Sequence, residues 1–125
     1  MSRLLQEVRS CATRPAHTDE HGFRTMEFIF PPTFVGFDGH FPDRPILPGI
    51  VQILAGMLTA GDDSMKLQKV AKAKFSRVIN PGELMLVRAE TQKKDGTILA
   101  AIIISVGGDT AATMTLALHP TEFAE

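Results

Sequence analysis

A single histidine stands in a proline-rich run that leads directly into an apolar segment. The run covers residues 39–51 and contains His40 together with Pro42, Pro45 and Pro48. Proline fixes its own φ angle and biases the preceding residue away from helix, so His40 is predicted to lie on a stiff, extended segment. Because an imidazole takes up and returns a proton near neutral pH, His40 is a candidate general base.

Gly49 follows Pro48 at the point where a helix should begin. The first N–H groups of a helix have no acceptor inside the helix, and they carry the positive end of its dipole. A carbonyl oxygen or an oxyanion is well received at such a position. The sequence therefore predicts a proton-transfer group, His40, near an oxyanion-binding backbone N–H, that of Gly49.

Length and composition favour one domain that covers residues 1–125, since 125 residues with 44% hydrophobic side chains suffice for one core. The formal net charge is −1, and no long run of one sign occurs, so neither nucleic acid nor an anionic membrane is favoured as a partner. The lone Cys11 excludes an intramolecular disulfide. The first residues of the chain are polar and lack a signal-peptide pattern. The apolar stretches of the chain fall short of the roughly 20 residues that span a bilayer. We expect a cytoplasmic protein.

Hydrophobic periodicity predicts the elements of the first half of the chain. Residues Arg3–Cys11 fit either a strand or a helix, and the polar stretch Ala12–Gly22 is predicted to be a loop. A period of two predicts a strand over Phe23–Phe30. A helix is predicted over Gly49–Ala60, ended by Gly61. Because this helix is apolar almost all round, we expect protein to enclose it.

Four strand candidates follow the helix, separated by turn sequences. Their ranges are Val70–Val78, Leu84–Thr91, Ile98–Val106 and Ala111–Leu118. Tight turns between them predict antiparallel neighbours in chain order. An early strand, one buried helix and an antiparallel meander indicate an α+β fold, in which a curved sheet wraps around the helix.

The motif His40-Phe41-Pro42-x-x-Pro45-x-x-Pro48-Gly49, followed by a buried helix, resembles that of the hotdog-fold 3-hydroxyacyl-acyl-carrier-protein dehydratases of fatty acid synthesis. Weaker similarity extends to residues 73–77 and to Pro81-Gly82, so the resemblance covers about Phe23 to Leu118. It implies a hotdog fold, in which a curved antiparallel sheet surrounds one long central helix. It also implies a homodimer with two active sites formed across the interface.

In the family that this chain resembles, the motif histidine removes the C2 proton of a 3-hydroxyacyl thioester, and the motif glycine N–H binds the thioester carbonyl. The matching residues here are His40 as base and Gly49 as substrate-binding residue. The resemblance implies a substrate carried by acyl carrier protein or coenzyme A, and no metal or other cofactor. The family's acidic residue, fourteen positions after the histidine, is replaced by Leu54. Gln52 does not replace it, because it lies roughly 200° away around the helix.

Leu54 leaves three functions open. The first is dehydration in which another residue helps, with Asp38 as a candidate carboxylate. The second is a related reaction, such as thioester hydrolysis by a thioesterase-like hotdog enzyme, or isomerisation. The third is a non-catalytic acyl-binding subunit that forms a heterodimer with an active paralogue, which supplies the acid. Association of dimers into higher oligomers also stays open.

Two further patterns have a functional and a structural interpretation. Gln52, Gly56 and Thr59 share one helix face, which fits an acyl tunnel or, as we favour, the close approach of another backbone. His17 and His21 have the i, i+4 spacing of a helical metal site. Their surroundings favour a solvated loop instead.

Overall fold

The computed structural model describes residues 3–37, 46–61 and 65–120, which form one six-stranded antiparallel sheet and two α-helices. A short 3₁₀ helix spans Val35–Phe37. The other elements, in chain order, are α1 Arg3–Ser10, β1 Ala12–Thr18, β2 Arg24–Ile29, α2 Gly49–Ala60, β3 Met65–Phe75, β4 Leu84–Lys94, β5 Thr97–Val106 and β6 Asp109–Pro120. Within these described ranges, neither helix has the length and apolar character needed to cross a membrane.

The strands lie in the order β1-β2-β4-β5-β6-β3, and every pair is antiparallel. As predicted, β4, β5 and β6 form a meander, with Ala89 opposite Ile102 and Ile102 opposite Met114. The turn from β5 to β6 uses Gly107 and Gly108, whose φ angles of 59° and 87° are readily adopted by glycine.

The predicted pairing of the first of the four late strands with the second is wrong. Strand β3 begins at Met65, earlier than predicted, and lies at the sheet edge beside β6, with Val70 opposite Leu116. Hydrogen bonds hold the connection between β3 and β4 against β6. The carbonyl of Ala111 accepts from the N–H groups of residues 76 and 77. The N–H of Gly82 then donates to the carbonyl of Phe30, which brings the chain to β2, the neighbour of β4.

The predicted loop over Ala12–Gly22 is also wrong in its first part, where Ala12–Thr18 forms the edge strand β1. All of its residues are exposed or half-buried, so the strand lacks the apolar alternation that reveals a strand in sequence. Its pairing with β2 shifts register twice, and Pro15 lies within it. Proline and irregular pairing are both typical of an edge strand, where one side needs no ladder partner.

Helix α2 spans the predicted residues, and its core-facing side chains pack against the sheet. Val51, Ala55 and Leu58 are buried, and the N–H of Gly61 donates to the carbonyl of Met57 at the helix end. Enclosure is incomplete within one chain, however, because Ile50 remains 52% exposed. Within one chain, the predicted enclosure is thus present on the core-facing side of the helix, and Ile50 marks the open side.

Gly56 lets the helix approach the sheet closely. A Cβ atom at this position would lie 3.3 Å from Cγ2 of Ile102 and 3.5 Å from Cδ1 of Leu116. On the same face, the Thr59 hydroxyl donates to the carbonyl of Ala55 at 2.8 Å, so its polarity is satisfied inside the helix. At Gly56 this face packs closely on the sheet, but the nearest atoms belong to side chains and not, as was predicted, to another backbone.

The N-terminal segment, for which strand and helix were both open, is helical. Leu5 and Val8 of α1 are buried and lie three residues apart on one face. Together with Phe28, Ile102 and Leu116, they belong to the same core as α2.

Candidate active site

A cleft of about 510 Å³ opens at the N-terminus of α2, between the start of this helix and the end of β3. Its lining is mainly apolar and comprises Ile46, Leu47, Pro48, Gly49, Gln52, Phe75, Ser76, Arg77 and Val78. Such a cleft combines a largely apolar wall with the backbone N–H groups of a helix start, which is a common composition for a small-molecule site.

Pro48 caps the helix without a side-chain hydrogen bond, in an extended conformation with φ −64° and ψ 151°. Its carbonyl accepts from the N–H groups of Val51 at 3.1 Å and Gln52 at 3.3 Å. The Gly49 N–H lies before these donors, and among the described residues it has no acceptor. The position expected for an oxyanion-binding N–H is therefore present at Gly49, on the wall of the cleft.

The segment before the helix is held from the sheet side. The N–H of Leu47 donates to the carbonyl of Ile79 at 2.8 Å, and Leu47 itself is buried. On the opposite wall, the Phe75 ring packs against Gly49, so a larger residue at position 49 would meet this ring. These contacts fix the width of the cleft at the helix start.

Arg77, at the rim, is held by an ion pair with Glu83. The two guanidinium-to-carboxylate distances are 3.2 Å and 3.0 Å, the bidentate arrangement that arginine favours. The Glu83 carboxylate also accepts from the backbone N–H of Asn80 at 2.8 Å. The hydrogen bonds from Arg77, and then that from Asn80, hold the pKa of Glu83 below its usual range. Arg77 therefore serves the turn that supports the cleft wall.

Gln52 is a polar residue of the cleft lining that is almost completely buried, with only 3% of its surface exposed. Its Nε2 donates to the carbonyl of Leu47 at 3.3 Å. Its Oε1 is buried, and no donor among the described residues lies within hydrogen-bond distance. Leaving a buried acceptor unpaired costs about 1–3 kcal/mol, so this oxygen needs an explanation.

Leu54 is partly buried and packs against the core from α2. It lies two residues beyond Gln52, roughly 200° around the helix, and does not line the cleft at Gly49. His40 and Asp38 lie outside the described residues. The proximity of His40 to Gly49 therefore stays a prediction.

The two N-terminal histidines lie apart from this cleft. His17 belongs to β1, not to a loop, and its Nε2 lies 2.9 Å from the Thr25 hydroxyl oxygen. His21 lies 3.4 Å from a carboxylate oxygen of Glu20. Across the described ranges, no group of three His, Cys, Asp or Glu side chains is arranged to hold a metal ion.

Sequence reasoning missed two features of the cleft. In the sequence, Ala71, Ala73 and Phe75 alternate with Lys72, Lys74 and Ser76, a pattern that predicts Phe75 on a sheltered face, yet 47% of it is exposed. The cause is an irregularity between residues 71 and 74, where Lys72 adopts a φ angle of +55° and the strand alternation is interrupted. The unpaired Oε1 of Gln52 was also missed, although an amide in an otherwise apolar helix was a visible signal.

The chain matches the model of the ApeI-like family, described as "ApeI dehydratase", over residues 16–113. It is 31% identical over 97 residues to the 3-hydroxyacyl-[acyl-carrier-protein] dehydratase FabZ of Thermoanaerobacter sp. (strain X514), covering 69% of this chain and 68% of that protein. It is 35% identical over 91 residues to the dehydratase FabZ of Streptococcus agalactiae serotype V, covering 64% of this chain and 65% of the relative.

Solved structures agree on the fold. The dehydratase heterocomplex ApeI:P from Xenorhabdus doucetiae superposes with a TM-score of 0.71 at 22% identity, covering 86% of this chain and 96% of the other. The E. coli PaaI protein superposes with a TM-score of 0.66 at 14% identity, covering 93% and 92%. The predicted α+β hotdog fold is confirmed by these similarities.

The family match and the sequence relatives confirm the resemblance to 3-hydroxyacyl-acyl-carrier-protein dehydratases. They also confirm the predicted enzyme class, a hydro-lyase. The match covers most of the chain and includes the helix start at Gly49 and the strands around it. This chain belongs to the ApeI-like dehydratase family.

Proposed function

We propose that this protein removes water from 3-hydroxyacyl thioesters to give trans-2-enoyl thioesters. The observation that carries the proposal is the N–H of Gly49, which has no acceptor among the described residues and lies on an apolar cleft, in a chain of a dehydratase family. The sequence relatives are named as dehydratases of 3-hydroxyacyl groups on acyl carrier protein, which supports this carrier and a role in fatty acid synthesis. Coenzyme A is the second candidate carrier. The single domain over residues 1–125 and the cytoplasmic location stay predictions.

The proposed reaction begins with His40, which takes a proton from C2 of the acyl group. Negative charge then develops on the thioester oxygen, and the N–H of Gly49 stabilises it by a hydrogen bond that strengthens as the charge grows. The C3–O bond breaks, a C2=C3 double bond forms, and the hydroxyl leaves. Returned by His40, the proton taken from C2 completes the water molecule. Leu54 takes no part in this proton transfer.

We also propose a homodimer in which the exposed side of α2 is covered by the partner subunit. Ile50 is 52% exposed in the single chain, and Ile53 and Leu54 are only partly buried. An apolar helix face of this kind favours association, because covering it removes apolar surface from water. The family resemblance supports the same arrangement, with position 54 near the partner's site.

A second candidate is an acyl-binding subunit that pairs with an active paralogue. It is favoured by Leu54, which offers no acid, and by the similarity to a solved structure described as a dehydratase heterocomplex. In such a pair, the paralogue's carboxylate would complete the pocket that holds His40 and Gly49. The pocket that faces Leu54 would lack an acid and would have weak catalytic activity.

Turnover tests the first proposal. The purified protein is given 3-hydroxyacyl and trans-2-enoyl thioesters on acyl carrier protein and, separately, on coenzyme A, and the products are followed by mass. We expect interconversion by loss or gain of water, abolished in His40→Ala. Release of free acid and thiol instead would support thioester hydrolysis and contradict the dehydratase proposal.

The composition of the native complex tests the second candidate. The chain is isolated at its natural expression level, and the subunits of the complex are counted by native mass spectrometry. Two different chains, with activity only in the mixed complex, would support the paralogue. A complex of identical chains that turns over 3-hydroxyacyl thioesters would remove it.

A further inference from the structure

The further inference concerns Gln52, the fourth residue of α2. This residue is only 3% exposed, and it lines the cleft at Gly49. Its Nε2 contacts the carbonyl oxygen of Leu47, which requires a donor, so the amide must present nitrogen there. Its oxygen is therefore the atom that has no partner among the described residues.

The other residues that line the cleft offer few donors for this oxygen. Leu47, Phe75 and Val78 contribute apolar side chains to the cleft. Arg77 has donors, but its guanidinium is engaged by the Glu83 carboxylate at 3.0 Å and 3.2 Å. The oxygen has almost no accessible surface, so a ligand reaches it only as the residues around the cleft shift. A ligand O–H or N–H group then meets an acceptor that no described side chain occupies.

The position of Gln52 relative to Gly49 narrows the choice of ligand group. Residues three apart on a helix are neighbours on its surface, so Gln52 lies one turn from the Gly49 N–H. In a 3-hydroxyacyl thioester, the hydroxyl is on the second carbon beyond the thioester carbonyl. When the carbonyl is bound at Gly49, the hydroxyl of the same acyl group therefore lies a short distance from it. This distance is on the scale of one helical turn, which separates Gly49 from Gln52.

We propose that Oε1 of Gln52 accepts a hydrogen bond from the C3 hydroxyl of the substrate and thereby selects hydroxylated over saturated acyl groups. This inference rests on the proposed function, since it assumes a 3-hydroxyacyl group bound at Gly49. The amide takes up no proton and does not replace the acid missing at Leu54. Its role is to recognise and orient the hydroxyl that leaves.

Equilibrium binding of two unreactive ligands tests this role. The probes are 3-hydroxyhexanoyl-pantetheine and hexanoyl-pantetheine with an amide in place of the thioester, which makes the C2 proton far less acidic. We expect the wild-type protein to bind the hydroxylated probe about 10-fold more tightly, as one hydrogen bond to a buried acceptor allows. Gln52→Met, similar in volume, should reduce this ratio to about 2-fold or less while it retains affinity for the saturated probe.

Ser76→Ala is the matched control, because Ser76 lines the same cleft but is exposed. It should keep the wild-type ratio. Gln52→Leu serves as a second variant if Gln52→Met does not give a folded protein by circular dichroism. The comparison of the two probes in the wild-type protein needs no variant.

Equal affinities of the two probes in the wild-type protein would overturn the role of Gln52. Equal weakening of both probes in Gln52→Met would also overturn it, since a structural role at Leu47 or a contact with the pantetheine arm predicts that result. A protein that interconverts the thioesters without discriminating the probes keeps the proposed function and loses this inference. A protein that neither binds the probes nor turns over the thioesters loses both.

Discussion

The ring of Phe75 packs so closely on Gly49 that a Cβ atom at position 49 would lie 3.1 Å from Cζ of the ring. Real Cβ atoms rarely come so close, so any side chain at position 49 must displace the ring. The helix start is thus matched to the end of β3 across the cleft. The proposed oxyanion-binding N–H of Gly49 therefore lies next to an aromatic side chain of the cleft wall.

Gly49→Ala is therefore expected to lower turnover without loss of stability. Alanine favours the helix, so the free energy of unfolding should stay equal or rise, while the displaced ring narrows the cleft. We expect kcat/KM to fall about 10-fold, less than the roughly 10²–10³-fold loss caused by removing an oxyanion donor. Steady-state kinetics and urea denaturation measure the two quantities.

The double variant Gly49→Ala, Phe75→Leu provides the control, because the smaller side chain leaves room for the new methyl group. It should recover much of the activity that Gly49→Ala loses, relative to Phe75→Leu alone. If the two substitutions act additively on kcat/KM, the contact between these residues does not limit the cleft.

Leu54→Glu is expected to raise dehydration, since it restores a carboxyl group at the family position. One acid or base contributes about 10²–10⁴-fold to rate, and an unoptimised site should gain at least about 10-fold. Mass detection of the enoyl product measures the gain. Ile53→Glu adds the same charge at a neighbouring, similarly buried position of α2 and should give no increase. A folded Leu54→Glu protein with wild-type turnover would contradict a site at position 54.

Ile50→Lys is expected to weaken the proposed dimer. Ile50 is 52% exposed in the single chain, and a dimer that covers it would have to bury the new charge. Size-exclusion chromatography with light scattering should show a monomer at micromolar concentration. Ile103→Lys is the control, because Ile103 is similarly exposed, at 48%, but lies on β5. Dissociation by Ile103→Lys alone would assign the interface to the sheet instead.

Glu83→Gln is expected to lower stability in a manner that depends on pH. The pKa of Glu83 is lowered in the folded protein, first by Arg77 and then by Asn80. Its ionised form therefore stabilises the fold above the ordinary pKa of 4.5, and this contribution is lost as the pH falls through the lower, folded-state pKa. The difference in free energy of unfolding between wild type and variant should be present at neutral pH and shrink in acid.

Urea denaturation at several pH values checks this difference. Glu90→Gln, at an exposed position of β4, is the control and should leave the free energy of unfolding at neutral pH unchanged. A gap between wild type and Glu83→Gln that stays constant from neutral pH into acid would show that the ion pair with Arg77 is not its origin.

Gly56→Leu is expected to lower the free energy of unfolding by about 1–3 kcal/mol, the usual cost of overpacking a core. The added side chain must displace Ile102 and Leu116, which a Cβ atom alone would approach to 3.3 Å and 3.5 Å. Gly56→Ala should have a smaller effect in the same urea titrations. Equal stability of all three proteins would mean that the helix and the sheet separate easily at this point.

Local patterns in the sequence determined α2, β2 and the meander from β4 to β6. Each of these segments carries its own hydrophobic period and its own end signals, such as Gly61 after α2 and the glycines between β5 and β6. Gly49 at the helix start was predicted for the same reason, because Pro48 marks the boundary. The histidine motif indicated the family before any contact was known.

Tertiary structure alone decided where β3 lies and which groups meet at the cleft. Strand β3 pairs with β6 through contacts between residues such as Val70 and Leu116, which are far apart in the chain, and no local period encodes that choice. The contact of Phe75 with Gly49 and the unpaired oxygen of Gln52 arise in the same way. They depend on which surfaces remain to be covered once the sheet has closed around α2, and this is a property of the packed chain as a whole.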